Sequence, residues 1–150
     1  MRAVVQRVAE ARVRVDDRLV GEIGHGLLVL LGVAAGDGPA DAAYVAGKVR
    51  DMRVFDGADG KGMDRSVADI GGGVLVVSQF TLYGDIRKGR RPAFDAAARP
   101  DQARELYEAV VRELRAAQLQ VATGEFQAMM RVELVNDGPV TILIDSTKTF

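Results

Sequence analysis

Cysteine and tryptophan are missing from the 150 residues, and histidine occurs once, at His25. Without thiols there is no disulfide, no thiolate nucleophile and no cysteine-ligated zinc. A single histidine excludes a multi-histidine metal site within one chain and leaves one possible base for a Ser-His-Asp triad. It stands between Gly24 and Gly26, a setting that reads as an exposed turn, so histidine-activated serine chemistry is not expected. Long apolar runs are missing too. The longest, Leu27 to Ala35, is broken by Gly32 and falls well short of the ~20 residues that span a bilayer. Arg2, Arg7 and Arg12 have no uninterrupted apolar block behind them, so no secretory signal is read there. The expected location is cytoplasmic, away from membranes. An excess of one charge is also lacking: 20 Lys and Arg face 21 Asp and Glu, for a net charge of −1. That argues against coating nucleic acid with a basic surface, but not against gripping a short piece of it locally.

What is present suits one α+β domain over residues 1–150. Hydrophobic residues make up 48% and charged residues 27%, enough apolar mass for a sizeable core. Residues 2–8 and 11–15 read as strands, followed by a turn at 16–18, a strand at 19–23 and a turn at 24–26. Leu27–Val33 is a continuous apolar run, as in a strand covered on both faces. Pro39 opens a helix whose stripe is Ala42, Val45, Ala46, Val49 and Met52. Gly71-Gly72-Gly73 reads as a flexible connector into a strand at Val74–Val77. Pro100 opens a second helix with Ala103, Leu106, Tyr107, Val110, Val111, Leu114 and Ala117 on one face. Phe126, Ala128, Met130, Val132 and Leu134 alternate at period two, which predicts a long strand, and Val140–Ile144 is the last strand. The expectation is a mainly antiparallel, barrel-like sheet with two main helices.

Few motifs can carry chemistry. Asp56-Gly57-Ala58-Asp59-Gly60-Lys61 fails as a calcium loop, with Ala at the third position and no Glu at the twelfth, and reads as a surface turn. No ligand cluster calls for a metal or another cofactor. Arg87-Lys88-Gly89-Arg90-Arg91 is either a solvated loop or a holder of phosphates at a pocket rim. Ser78-Gln79-Phe80-Thr81-Leu82 ends a buried strand with a hydroxyl, an amide, a ring and a second hydroxyl. An amide reads a base edge and a ring stacks on one. In Asn136-Asp137-Gly138-Pro139-Val140-Thr141, the proline lacks a ladder donor, so the pair reads as a hairpin turn between two strands.

Taken together, these last two motifs resemble those of the D-aminoacyl-tRNA deacylase family, and the resemblance covers essentially the whole chain. Met1–Val8, Gly21–Gly24 with Leu27–Val33, Gly89–Phe94 and Thr123–Phe126 are similar to further segments of that family. The resemblance implies a homodimer that hydrolyses the ester between a D-amino acid, or glycine, and the 3′-terminal adenosine of tRNA. It implies active sites at the dimer interface, with a cis Gly138-Pro139 of one subunit entering the pocket of the other. Backbone carbonyls there would bind the substrate ammonium group and fill the space an L side chain needs. Ser78, Gln79 and Phe80 would hold the adenosine and ester, with Phe126 and Met130 as walls of the pocket or as core. Arg7 and Asn136 would support the Gly-Pro pair. Thr81 would orient the ester or an attacking water, since its motif offers no base to make it a nucleophile. Two other readings stand beside this one: editing of L-aminoacyl mischarged tRNA by a relative with a trans Gly-Pro, and a non-catalytic RNA-binding dimer.

Overall fold

A computed structural model describes residues 1–150. Residues 2–15 form one strand, not two. β1 (Arg2–Val15) pairs antiparallel with β6 (Arg131–Asp145) along most of its length. Its other edge pairs antiparallel with β3 (Gly26–Gly32) and then with β2 (Arg18–Ile23). The joint is a bulge at Ala9, since Val8 pairs with Asn136 and Glu10 with Val135. One extra residue resets the side-chain period. Ala3 and Val5 face the main core, whereas Val8, Ala11 and Val13 share a smaller cluster with Leu28, Leu75 and Val77.

β4 (Gly73–Ser78) and β5 (Gln120–Thr123) extend the sheet from β3, both in parallel. The sheet is therefore mixed, with three antiparallel pairings and two parallel ones. Parallel neighbours need crossovers. α1 (Pro39–Asp51) and α2 (Pro100–Ala116) lie on the two crossovers, and their stripes share one core with Val29, Leu31, Val74 and Val76. At the far edge β2 folds back on β5, so close that a Cβ on Gly21 would lie 2.3 Å from the Thr123 carbonyl oxygen. The sheet nearly closes on itself, as a barrel-like reading expects.

Three local expectations are corrected. Gly72 and Gly73 are buried, and Gly73 pairs with Gly26 where no Cβ fits between the strands, so the triple glycine is a close crossing and not a flexible connector. Residues 124–130 are loop, and the strand starts at Arg131. The period-two pattern misleads because Phe126 turns into the main core and Met130 into the smaller one, with Gln127 between them at φ 64°. Third, Gly138-Pro139 is no hairpin. The residues on both sides of it pair with the same strand, and the chain keeps its direction: Val8 pairs with Asn136, Gln6 with Thr141. Asp137–Val140 form a four-residue excursion opposite Arg7 alone.

Candidate active site

The carboxyl ends of parallel strands are a common place for ligands, because loops diverge there. Here β3, β4 and β5 end together. Leu31 pairs with Ser78, and Thr123 with Val76. Beyond Ser78 the chain enters a 3-10 turn, Phe80–Tyr83, whose first bond runs from the Leu82 N–H to the Gln79 carbonyl at 3.2 Å. The Phe80 and Thr81 N–H groups precede that bond and have no partner within the turn. Phe80 is 54% exposed and meets Phe94 edge-on, with centroids 5.0 Å apart. Thr81 is exposed, and its hydroxyl accepts a hydrogen bond from the Gln79 amide. No histidine, aspartate or glutamate bonds to it. Beneath the turn Tyr83 is buried, which raises its hydroxyl pKa well above the usual tyrosine value.

The Gly138-Pro139 peptide is cis. Gly138 has φ 151°, and a Cβ there would sit 2.7 Å from both the N and the Cγ2 of Val140. Two side chains fix this excursion. At its base, the Asn136 amide accepts from the Val140 N–H at 2.9 Å and donates to the Val140 carbonyl at 3.2 Å, replacing the ladder that the bulge interrupts. Opposite it, Arg7 donates to the Asp137 carbonyl at 2.7 Å and to the Val54 carbonyl at 2.6 Å. Its side chain is only 13% exposed, and both bonds are charge-assisted; the one to Val54 is partly buried and the one to Asp137 lies at the surface. His25 is the exposed turn residue expected from its neighbours. It also has a neighbour the sequence did not signal: its Nε2 lies 3.6 Å from Asp137 Oδ2, with the ring edge-on to Phe55. The Val54 carbonyl has no sequence signature either, since any residue carries one.

One chain does not join the two motifs. Ser78 pairs with Leu31, Leu31 with Ala3 and Ala3 with Ile144. The Gly-Pro excursion stands opposite Arg7, four residues further along β1. Three strand spacings and four residues put the motifs on the order of 20 Å apart along the sheet surface. Phe126 lies just past the end of β5, near the level of Ser78, against Tyr107 and under the Arg104 guanidinium. Burial pushes the Tyr107 hydroxyl up to about 12, and it donates to the Val76 carbonyl at 2.9 Å. Met130 lies over Gly124 in the other cluster, so Phe126 and Met130 do not share the strand face expected of them. A concavity of about 710 Å³ lies among Arg12, Glu22, His25, Gly73 and Gln120 and contains neither motif.

With this geometry in view, residues 4–145 match the family described as D-Tyr-tRNA(Tyr) deacylase. The chain belongs to this family, whose members are hydrolases acting on ester bonds. It is similar to proteins named D-aminoacyl-tRNA deacylase, with 60% identity over 150 residues in Koribacter versatilis and 62% in Symbiobacterium thermophilum. The match spans all of this chain and 100% and 99% of those two relatives. Among solved structures, one named c-Myc DNA Unwinding Element Binding Protein aligns with a TM-score of 0.91 at 38% identity, covering 97% of this chain and 98% of that one. A probable eukaryotic D-amino acid tRNA deacylase aligns with a TM-score of 0.82 at 17% identity, covering 95% and 97%, a likeness of fold. No helix is long and apolar enough to cross a membrane.

Proposed function

We propose that this deacylase-family chain hydrolyses the ester of D-aminoacyl-tRNA, releasing the free D-amino acid and tRNA, and that it also removes glycine from mischarged tRNA. The observation that carries the reading is full-length identity of 60–62% to relatives of that name. We assign the reaction to a single domain, residues 1–150, acting in the cytoplasm. In this reading Ser78, Gln79 and Phe80 hold the terminal adenosine and ester, with Phe126 as a neighbouring wall. The Phe80 and Thr81 N–H groups receive the developing oxyanion. Thr81 orients the ester or water. An aminoacyl ester is already activated, so placement and charge stabilisation do most of what is needed.

The second half of each site comes from a second copy. Two features support this: the ~20 Å between the motifs within one chain, and the free edge of β6. That edge exposes Leu134, Val135, Ile142 and Leu143 along a 15-residue strand, an arrangement that monomers usually avoid. The Gly138-Pro139 segment of one subunit then enters the other's pocket, and its backbone rejects the L enantiomer by occupying the space of the L side chain.

The test is ester loss from D-Tyr-tRNA and L-Tyr-tRNA in parallel. Hydrolysis of the D ester with the L ester spared is the expected result. Hydrolysis of the L ester would favour an editing enzyme of opposite choice, and hydrolysis of neither would favour a non-catalytic RNA-binding dimer. Either of these outcomes would overturn the reading.

A further inference from the structure

The loop after the Phe80–Tyr83 turn carries a charge surplus with no counterpart in the chain. Asp85 and Ala93 close it with two backbone bonds, 2.8 and 2.9 Å, leaving residues 86–92 as an exposed lobe. Asp85 is consumed by Arg87, which grips both carboxylate oxygens at 2.6–3.0 Å and holds the carboxyl down at about 2. Lys88, Arg90 and Arg91 remain, and none makes an ion pair in a chain whose net charge is −1. The lobe is also tied to the site. Phe94, next to its closing pair, packs edge-on against Phe80, and Gly84 makes room for that ring: a Cβ there would lie 3.1 Å from Phe94 Cε1.

We infer that Lys88, Arg90 and Arg91 bind phosphates of the RNA strand leading to the terminal adenosine, so that the loop selects an ester on a polynucleotide over one on a bare nucleoside. This rests on the deacylase reading above and adds the recognition element that the adenosine pocket lacks. Three cations on one lobe beside an exposed ring match a strand of regularly spaced phosphates with an unstacked base at its end. A small anion would be met by one such group. Phosphate contacts set register without reading sequence, which suits an enzyme that must accept many tRNAs.

The test compares two substrates, D-Tyr-tRNA and the minimal ester 3′-O-D-tyrosyl-adenosine, with the unmodified protein and with K88Q/R90Q/R91Q. Three phosphate contacts account for roughly a 20- to 40-fold loss of affinity between 50 and 200 mM salt. The variant should therefore lose about tenfold or more in kcat/KM on D-Tyr-tRNA at low salt, with its salt slope shallower by about 2–3. Its kcat/KM on the minimal ester should not change. Charge-retaining K88R/R90K/R91K should restore the slope, which a merely structural role of the loop would not require. Equal losses on both substrates, an unchanged salt slope, or variant-sensitive binding of duplex DNA in preference to tRNA would overturn the inference. If the unmodified protein hydrolyses neither ester, the deacylase reading itself falls and this inference falls with it.

Discussion

Arg7 on β1 donates to the backbone carbonyl of Asp137 at 2.7 Å, across the point where four residues of β6 face one residue of its neighbour. The second carbonyl on the same guanidinium, from Val54 at 2.6 Å, ties the excursion to the segment after α1. Lysine has the charge but not the fork that meets two acceptors. Arg7→Lys is expected to lower deacylation about 10- to 100-fold, in keeping with charge-assisted bonds of ~1.5–3 kcal/mol. Initial rates on D-Tyr-tRNA, with the urea midpoint as a control for folding, would check this. A rate within twofold of the parent would mean that the excursion holds its shape without the arginine.

Gly138 occupies φ 151°, and a Cβ would meet Val140 at 2.7 Å. Gly138→Ala should cost about 1–3 kcal/mol of local strain and displace the excursion. Activity on D-Tyr-tRNA is expected to fall at least about tenfold. Hydrogen exchange should rise mainly at residues 136–141, with the helices unaffected. A variant with parental rates would remove the excursion from the active site.

A site shared between subunits makes complementation possible. Mixed dimers of Thr81→Ala and Gly138→Ala would hold one intact site and one doubly altered site. Co-expressed in equal amounts, the two variants should recover up to about a quarter of parental activity, since half the dimers are mixed and each has one good site. Recovery no greater than the mean of the two variants alone would show that each chain works by itself. Val135→Lys, on the exposed edge of β6, should shift the protein towards monomer in sedimentation and reduce activity in parallel.

The Thr81 hydroxyl bonds only to the Gln79 amide. Thr81→Ala should lower kcat by about 10- to 100-fold, the effect of losing one orienting hydrogen bond, and no acyl-enzyme should accumulate in a rapid quench. Complete loss of turnover with intact substrate binding would instead make Thr81 a nucleophile.

Asp145 closes β6 and is 5% exposed. Burial raises its pKa, but hydrogen bonds from Thr149, Thr147 and Arg2 outweigh that and hold it well below the ordinary carboxylate value. A carboxyl depressed in the folded state stabilises fully above the unfolded value of ~3.9, and that contribution is lost as pH falls through it toward the folded value. Urea midpoints should therefore be level from about pH 5 to 7 and drop below about pH 4. Asp145→Asn should lose about 1.5–3 kcal/mol at pH 7 and show a flatter acid limb. An unchanged acid limb would assign the acid sensitivity to other carboxylates.

The helices were legible because their signal is local. The stripes of α1 and α2 repeat at helical spacing, and Ala42, Val45, Val49, Leu106, Val110 and Leu114 are all buried. Most strands were legible from alternation or from continuous apolar runs. The loop at 124–130 was misread because Phe126, Ala128 and Met130 are half-buried at every second position, which imitates a strand although Phe126 and Met130 enter different clusters. Residue types in Ser78–Leu82 and Asn136–Thr141 marked the two motifs, but types alone left Gly138-Pro139 as a hairpin.

The sequence by itself determined the class of fold, the absence of thiol and multi-histidine chemistry, and the two short segments with unusual polar or backbone content. These depend on residue types and on periods of two and 3.6, which act over a few neighbours. Only the tertiary structure decided that both arms of the Gly-Pro segment pair with β1, that Arg7 reaches the Asp137 and Val54 carbonyls, and that one chain keeps Ser78 and Gly138 apart. Strand pairing and register join residues more than a hundred positions apart, and the hydrogen bonds that set them are made by backbone groups common to nearly every residue.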